Sequence, residues 1–161
     1  MKKLKLYIET SVWNFLLADD TPDLQDFTLK FFKEIKAGEY DIYISDLVIT
    51  EINRTKDEIK RDRLLDVLNQ YHPIILPFND EAVLFTENLM KNEVVPLKYR
   101  DDAVHISYAV VNELDVLVSW NLTHIVKLKT KVKVNALAAL DGYKGILIST
   151  PEEVIGYAEG T

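Results

Sequence analysis

There is no cysteine among the 161 residues. Disulfides and thiolate zinc sites are therefore excluded. No apolar run is long enough to cross a bilayer. There is also no internal repeat, no low-complexity tract and no linker, so residues 1–161 read as a single domain of ordinary size. Net positive charge is missing too: 19 basic against 26 acidic side chains give −7. The whole molecule is not expected to attract nucleic acid from a distance. Any such contact has to be local or carried by a metal. The opening Met1-Lys-Lys-Leu-Lys is basic but runs at once into a strand pattern, with no signal-peptide core. The expected location is the cytoplasm, with no membrane partner.

What is present is enough apolar mass for a core, 48% of residues. Five short strand patterns recur: Lys3–Ile8, Tyr40–Ile44, Ile74–Leu76, Asp115–Ser119 and Gly145–Ile148. Helical patterns separate them, over Val12–Ala18, Pro22–Ala37, Ser45 onward through Ile52, Lys56–Asn69, Asn79–Asn92 and Asp101–Glu113. In Lys56–Asn69 the inward residues are expected to be Ile59, Leu64, Leu65 and Leu68. Between Ile125 and Val134, lysines 127, 129, 131 and 133 alternate with apolar residues. That stretch fits an edge strand or a helix with a basic side. Thr150-Pro-Glu-Glu153 is a capping box that starts a last helix. A helical crossover between each pair of strands implies a doubly wound α/β three-layer sandwich, with a central parallel sheet of about five strands.

In such a sheet, chemistry gathers outside the carboxyl ends of the strands. Glu9 ends the first strand, and Asn121 follows the fourth. Glu51 lies in the helix after the second strand, among apolar neighbours. Asp101 and Asp102 open the helix before the fourth. Adjacent helical residues point about 100° apart, and Asp102 shares a face with Ile106 and Ala109, so Asp102 is the one expected to face the site. Converging carboxylates without matching arginines are costly unless a cation joins them. Hard oxygen ligands select Mg²⁺ or Mn²⁺. Ser11 and Ser119 are placed to support these acids, although Ser11 also suits a helix cap. His105 reads first as a hydrogen-bonded structural histidine, and His72 and His124 carry no clear signal. The lysines at 127–133 read first as a solvated face. With Lys98, Arg100 and Arg54 they are the basic groups suited to a phosphate.

Four segments together resemble the PIN-domain nucleases, which include the VapC-like toxins. They are Leu6-Tyr-Ile-Glu-Thr-Ser-Val12, Ile49-Thr-Glu-Ile52, Tyr99-Arg-Asp-Asp-Ala-Val-His-Ile106 and Leu117-Val-Ser-Trp-Asn121. The closing Gly142-Tyr and Ile148-Ser-Thr-Pro-Glu-Glu153 are similar to one branch of that family. The resemblance spans nearly the whole chain. It implies a PIN-like fold, metal-dependent cleavage of RNA, a homodimer and, for a toxin, a small antitoxin protein as partner. Carried onto this chain, Glu9, Glu51, Asp102 and Asn121 are the expected catalytic residues. Glu9, Asp102 and Glu51 are the expected metal ligands.

Two positions depart from the family pattern. Glu9 stands where aspartate is usual, and Asn121 stands where a second aspartate is frequent. One bound metal is therefore easier to support than two. The departures also motivate an alternative, a catalytically weak or inactive PIN-like module that acts by binding protein or RNA. A phosphoacceptor domain shares the architecture. It needs an aspartate after the third strand and a lysine after the fifth, where this chain has Pro77-Phe78 and Ser149-Thr150.

Overall fold

The computed structural model describes residues 2–159. The first half runs β1 (Leu4–Ile8), α1 (Thr10–Phe15), α2 (Pro22–Lys36), β2 (Tyr40–Ser45), α3 (Asp46–Asn53), α4 (Glu58–Tyr71) and β3 (Ile74–Leu76). The second half runs α5 (Asp80–Lys91), a 3₁₀ turn at Leu97–Tyr99, α6 (Arg100–Val111), β4 (Val116–Val118), α7 (Leu128–Leu140), β5 (Leu147–Ser149) and α8 (Pro151–Val154). All strand pairs are parallel, in the order β3-β2-β1-β4-β5. The chain builds outward from β1 to β3, then returns to β1's other side for β4 and β5. The order therefore reverses between β1 and β4, which is where an open α/β sheet forms its crevice.

Both faces of β1 are covered: Leu6, Tyr7 and Ile8 are fully buried. This is the near-continuous apolar run expected of a central parallel strand. α5 packs on α6 and α7, while α2 packs on α1 and α8, and α4 on α1 and α3. An edge-to-face chain of Trp13, Phe32 and Tyr71 ties α1, α2 and α4 together. Trp13 Nε1 also donates to the Ile8 carbonyl, which fixes the turn out of β1. The aromatic stripe of α2 is thus core, with Phe31, Phe32 and Ile35 buried.

The ambiguous lysine segment is helical. β4 pairs directly with β5, so no edge slot is left beside β4. Helical spacing turns Thr130, Val134 and Ala138 inward, whereas Leu128 and Val132, two other apolar residues of the alternation, are exposed. In α4, Leu64 and Leu68 are buried but Ile59 is 75% exposed, contrary to the expected inward face. Ile59 sits in the first turn of α4, ahead of the turns that carry the buried Leu64 and Leu68. No described helix is long and apolar enough to cross a membrane.

Candidate metal centre at the β1–β4 crevice

The site begins where β1 ends. The Glu9 backbone nitrogen donates to the Val118 carbonyl at 3.0 Å, so the ends of β1 and β4 lie side by side. Glu9, not Ser11, is the N-cap of α1: its Oε2 accepts from the Ser11 amide at 3.0 Å. Its Oε1 accepts from the Ser11 and Ser119 hydroxyls, each at 2.5 Å. Those two hydroxyls are themselves oriented. Ser11 Oγ accepts from the Trp120 amide and Ser119 Oγ from the Asn121 amide, both at 2.9 Å. With their acceptor side engaged, both turn their protons to the carboxylate. Glu9 is only 5% exposed, and no cationic side chain is among these partners. Burying a charge in this way is costly without a compensating cation.

Glu51 reaches the same crevice from α3, whose buried residues Val48 and Ile52 set the helix phase. Its Oε1 accepts from Thr10 Oγ1 at 2.6 Å and meets His105 Nε2 at 2.5 Å. His105 is fully buried on α6. Its other nitrogen, Nδ1, meets the Tyr7 hydroxyl at 2.7 Å, and that hydroxyl lies 2.8 Å from Ser45 Oγ. A buried chain thus runs Ser45–Tyr7–His105–Glu51. Burial alone would lower the imidazole pKa, but the hydrogen bond to Glu51 and the charges of Glu9, Glu51 and Asp102 outweigh it and raise it. Burial pushes Glu51 up, yet the His105 bond and charge, the Thr10 hydroxyl and the charge of Arg54 hold it below the usual carboxylate range. The Tyr7 hydroxyl is raised well above its ordinary value, chiefly by burial.

Asp102 forms the other wall. Its Oδ2 accepts from Asn121 Nδ2 at 3.2 Å and lies 3.1 Å from His124 Nδ1. Asn121 Oδ1 accepts in turn from the His124 amide. Burial and the charge of Glu9 raise the Asp102 carboxyl, only partly offset by His105 and His124. Asp101, one residue earlier, turns out to solvent and pairs with Arg54 at 2.9 Å. The helix phase separates the two as the sequence predicts. Arg100 pairs with Glu87 at the surface, and Lys98 lies over the Tyr99 ring. Arg54 and Arg100 are therefore engaged by acids.

Among the described residues, Glu9, Glu51 and His105 each offer a ligand atom within 4.8 Å of one another. Both His105 nitrogens are already hydrogen-bonded, so His105 fits better as the group that orients Glu51 than as a ligand. Of the three carboxylates expected as ligands, Glu9 and Glu51 belong to this group and Asp102 does not. The oxygens of Glu9, which has no cationic partner, and of Glu51 beside it fit a hard cation, with Asp102 on the other wall, its carboxyl raised by burial and then by the charge of Glu9. The sequence expectation missed His124. Its link to Asp102 spans 22 residues through the turn after β4, and no local pattern marks it.

The sheet order, the crevice and the acids around it define a PIN-like α/β fold. The chain is similar in structure to VapBC2 from Rickettsia felis, solved bound to a DNA fragment from its promoter, with a TM-score of 0.57 over 91% of this chain and 98% of that chain. Sequence identity is 13%, so the likeness speaks to the fold. No protein-family model and no curated protein matches the sequence.

Proposed function

We propose that the chain is a ribonuclease dependent on a divalent metal, Mg²⁺ or Mn²⁺, and the toxin of a type II toxin–antitoxin pair. The observation that carries this reading is the uncompensated carboxylate of Glu9, 5% exposed at the β1–β4 switch point beside Glu51. Glu9, Glu51 and Asp102 would hold the ion, whose chemistry is to polarise a phosphodiester and acidify a bound water. The chain's own residues set the frame. Ser11 and Ser119 aim Glu9, and Thr10 and His105 aim Glu51. Asn121 and His124 aim Asp102, so Asn121 acts as a positioning residue. RNA is the substrate in this reading, with a homodimer as the working form. A small antitoxin protein is the proposed partner, supported by the toxin–antitoxin complex among the structural neighbours.

The test is cleavage of a total-RNA pool by the purified protein with Mn²⁺, with Mg²⁺ and with chelator, beside Asp102→Asn. Metal-dependent cutting that the variant loses supports the reading. A second reading, a binding module without catalysis, is favoured by one feature: the Asn121 amide is spent on Asp102 and brings no charge. A folded protein that neither cuts RNA nor binds Mn²⁺ decides for that module.

A further inference from the structure

A cavity of about 500 Å³ opens next to the acid site, between the 93–97 segment and the start of α7. Its volume falls within the roughly 300–1,000 Å³ of small-ligand pockets. One wall is apolar: Val94, Val95 and Leu97, the last 83% exposed. The opposite wall carries Lys127 and Lys129, both exposed, and neither takes part in an ion pair among the described residues. A single acidic side chain, Glu93, lines it. On a chain of net charge −7, this is a local reversal of sign. The cavity is also joined to the chemistry. His124 lines it and meets Asp102 Oδ2 at 3.1 Å. The Tyr99 ring lies against the His124 ring, tilted by 38° with centroids 4.1 Å apart, and Tyr99 keeps 40% of its surface open.

We infer that this cavity is the subsite for the nucleotide next to the scissile phosphate of a single-stranded RNA. The inference rests on the nuclease reading above and adds where the strand lies. A phosphate at the acid site puts its neighbouring nucleotide at His124 and Tyr99. The His124 imidazole in the cavity lining offers a base an aromatic contact, and lysines across an apolar wall suit a base on one side and a phosphate on the other. A single strand suits the cavity better than a duplex, because a paired strand has to unpair and unstack a base to place it there.

The test uses a short fluorescein-labelled RNA of random sequence. Affinity is read by anisotropy in chelator, where no cleavage occurs, and cutting of the same RNA is read separately with Mn²⁺. The variants are K127A/K129A, Leu97→Asp in the exposed wall, the charge-keeping K127R/K129R, and K60A/R63A on α4 as a charge-matched control away from the cavity. The expected result is that K127A/K129A weakens binding about tenfold and lowers the salt dependence by about two counterions. Leu97→Asp also weakens binding, whereas K127R/K129R and the control stay within about twofold of the wild type. In cleavage, the loss falls on KM with kcat largely kept. If the wild type binds and cuts RNA while K127A/K129A and Leu97→Asp match it, the subsite is overturned and the nuclease reading stands. A wild type that neither binds nor cuts RNA removes both.

Discussion

Asp115 and Asp102 flank opposite ends of the same sheet, and their carboxyls are driven in opposite directions. Asp115 precedes β4. Burial raises it, but the Lys5 backbone amide at 2.8 Å and Lys144 Nζ at 2.9 Å outweigh that and hold it below its ordinary value. Asp102 sits at the carboxyl end. There, burial and the charge of Glu9 prevail, and its two partners, an amide and an imidazole, do not pull it back. The amino end of the sheet has a resident cation for its acid. The carboxyl end gathers Glu9, Glu51 and Asp102, faced by His105 and His124, while Arg54 acts on Glu51 from the surface, where it is already paired with Asp101. An arrangement that is locally unfavourable, in a fold otherwise well satisfied, fits a place for a ligand of opposite charge.

The largest effect expected comes from removing a carboxylate from the unpaired end. Glu9→Gln or Asp102→Asn should lower RNA cleavage by more than about 100-fold, above the range seen when only a supporting group is lost. Single-turnover cleavage with Mn²⁺ checks this, and near-wild-type rates would remove these residues from the chemistry. Next comes the ion itself. At about 100 times its Kd, Mn²⁺ should add about 2.7 kcal/mol to stability in wild type, and much less in Glu9→Gln. Thermal melts with and without Mn²⁺ measure it.

A smaller effect is expected one step behind the ligands. Tyr7→Phe leaves His105 Nδ1 and Ser45 Oγ without their shared partner in a fully buried place. It should cost about 1–3 kcal/mol of stability. It should also loosen Mn²⁺ binding by about tenfold, because His105, which orients Glu51, loses the hydroxyl that fixes its own ring. Calorimetric titration with Mn²⁺ separates the second effect from the first. Unchanged Mn²⁺ affinity would make the chain purely structural.

The mildest test sets the two aspartates directly against each other in metal-free protein. Asp115→Ala should lower stability at neutral pH by about 1–2 kcal/mol, as expected for a part-exposed pair plus one charged hydrogen bond. Because the Asp115 value is depressed on folding, its contribution is present above the unfolded value and fades as pH falls through the folded one. Asp102 runs the other way. Its value is raised on folding, so the stability linked to its protonation is present at acid pH and is lost as pH rises through the folded value. Asp102→Asn should therefore leave neutral-pH stability unchanged or raise it by up to about 1 kcal/mol. Urea denaturation across pH reads both, and equal losses in the two variants would break the contrast.

Much of this was legible from residue order. Alternating strand and helix periods led to the parallel sheet, and the strand ends placed Glu9, Glu51, Asp102 and Asn121 at one edge. Helix phase and the family motif both favour Asp102 over Asp101, and Asp101 pairs outward with Arg54. The lysine segment was harder, because an alternating pattern over ten residues satisfies either a strand or a helix, and only the direct pairing of β4 with β5 decides. By residue type Ser11 suits the cap of α1, because serine is a common cap. Glu9 takes that place, its carboxylate accepting from the Ser11 amide and held by Ser119 at the end of the neighbouring β4.

The sequence by itself determined the order of elements and which acids the strand ends carry, because periodicity and turn chemistry are local. Only the tertiary structure decided that His105 serves Glu51, that His124 serves Asp102, and that Lys127 and Lys129 face an apolar wall across a cavity. These partnerships join residues far apart in the chain, and hydrogen bonds, ion pairs and cavity walls depend on distance in space.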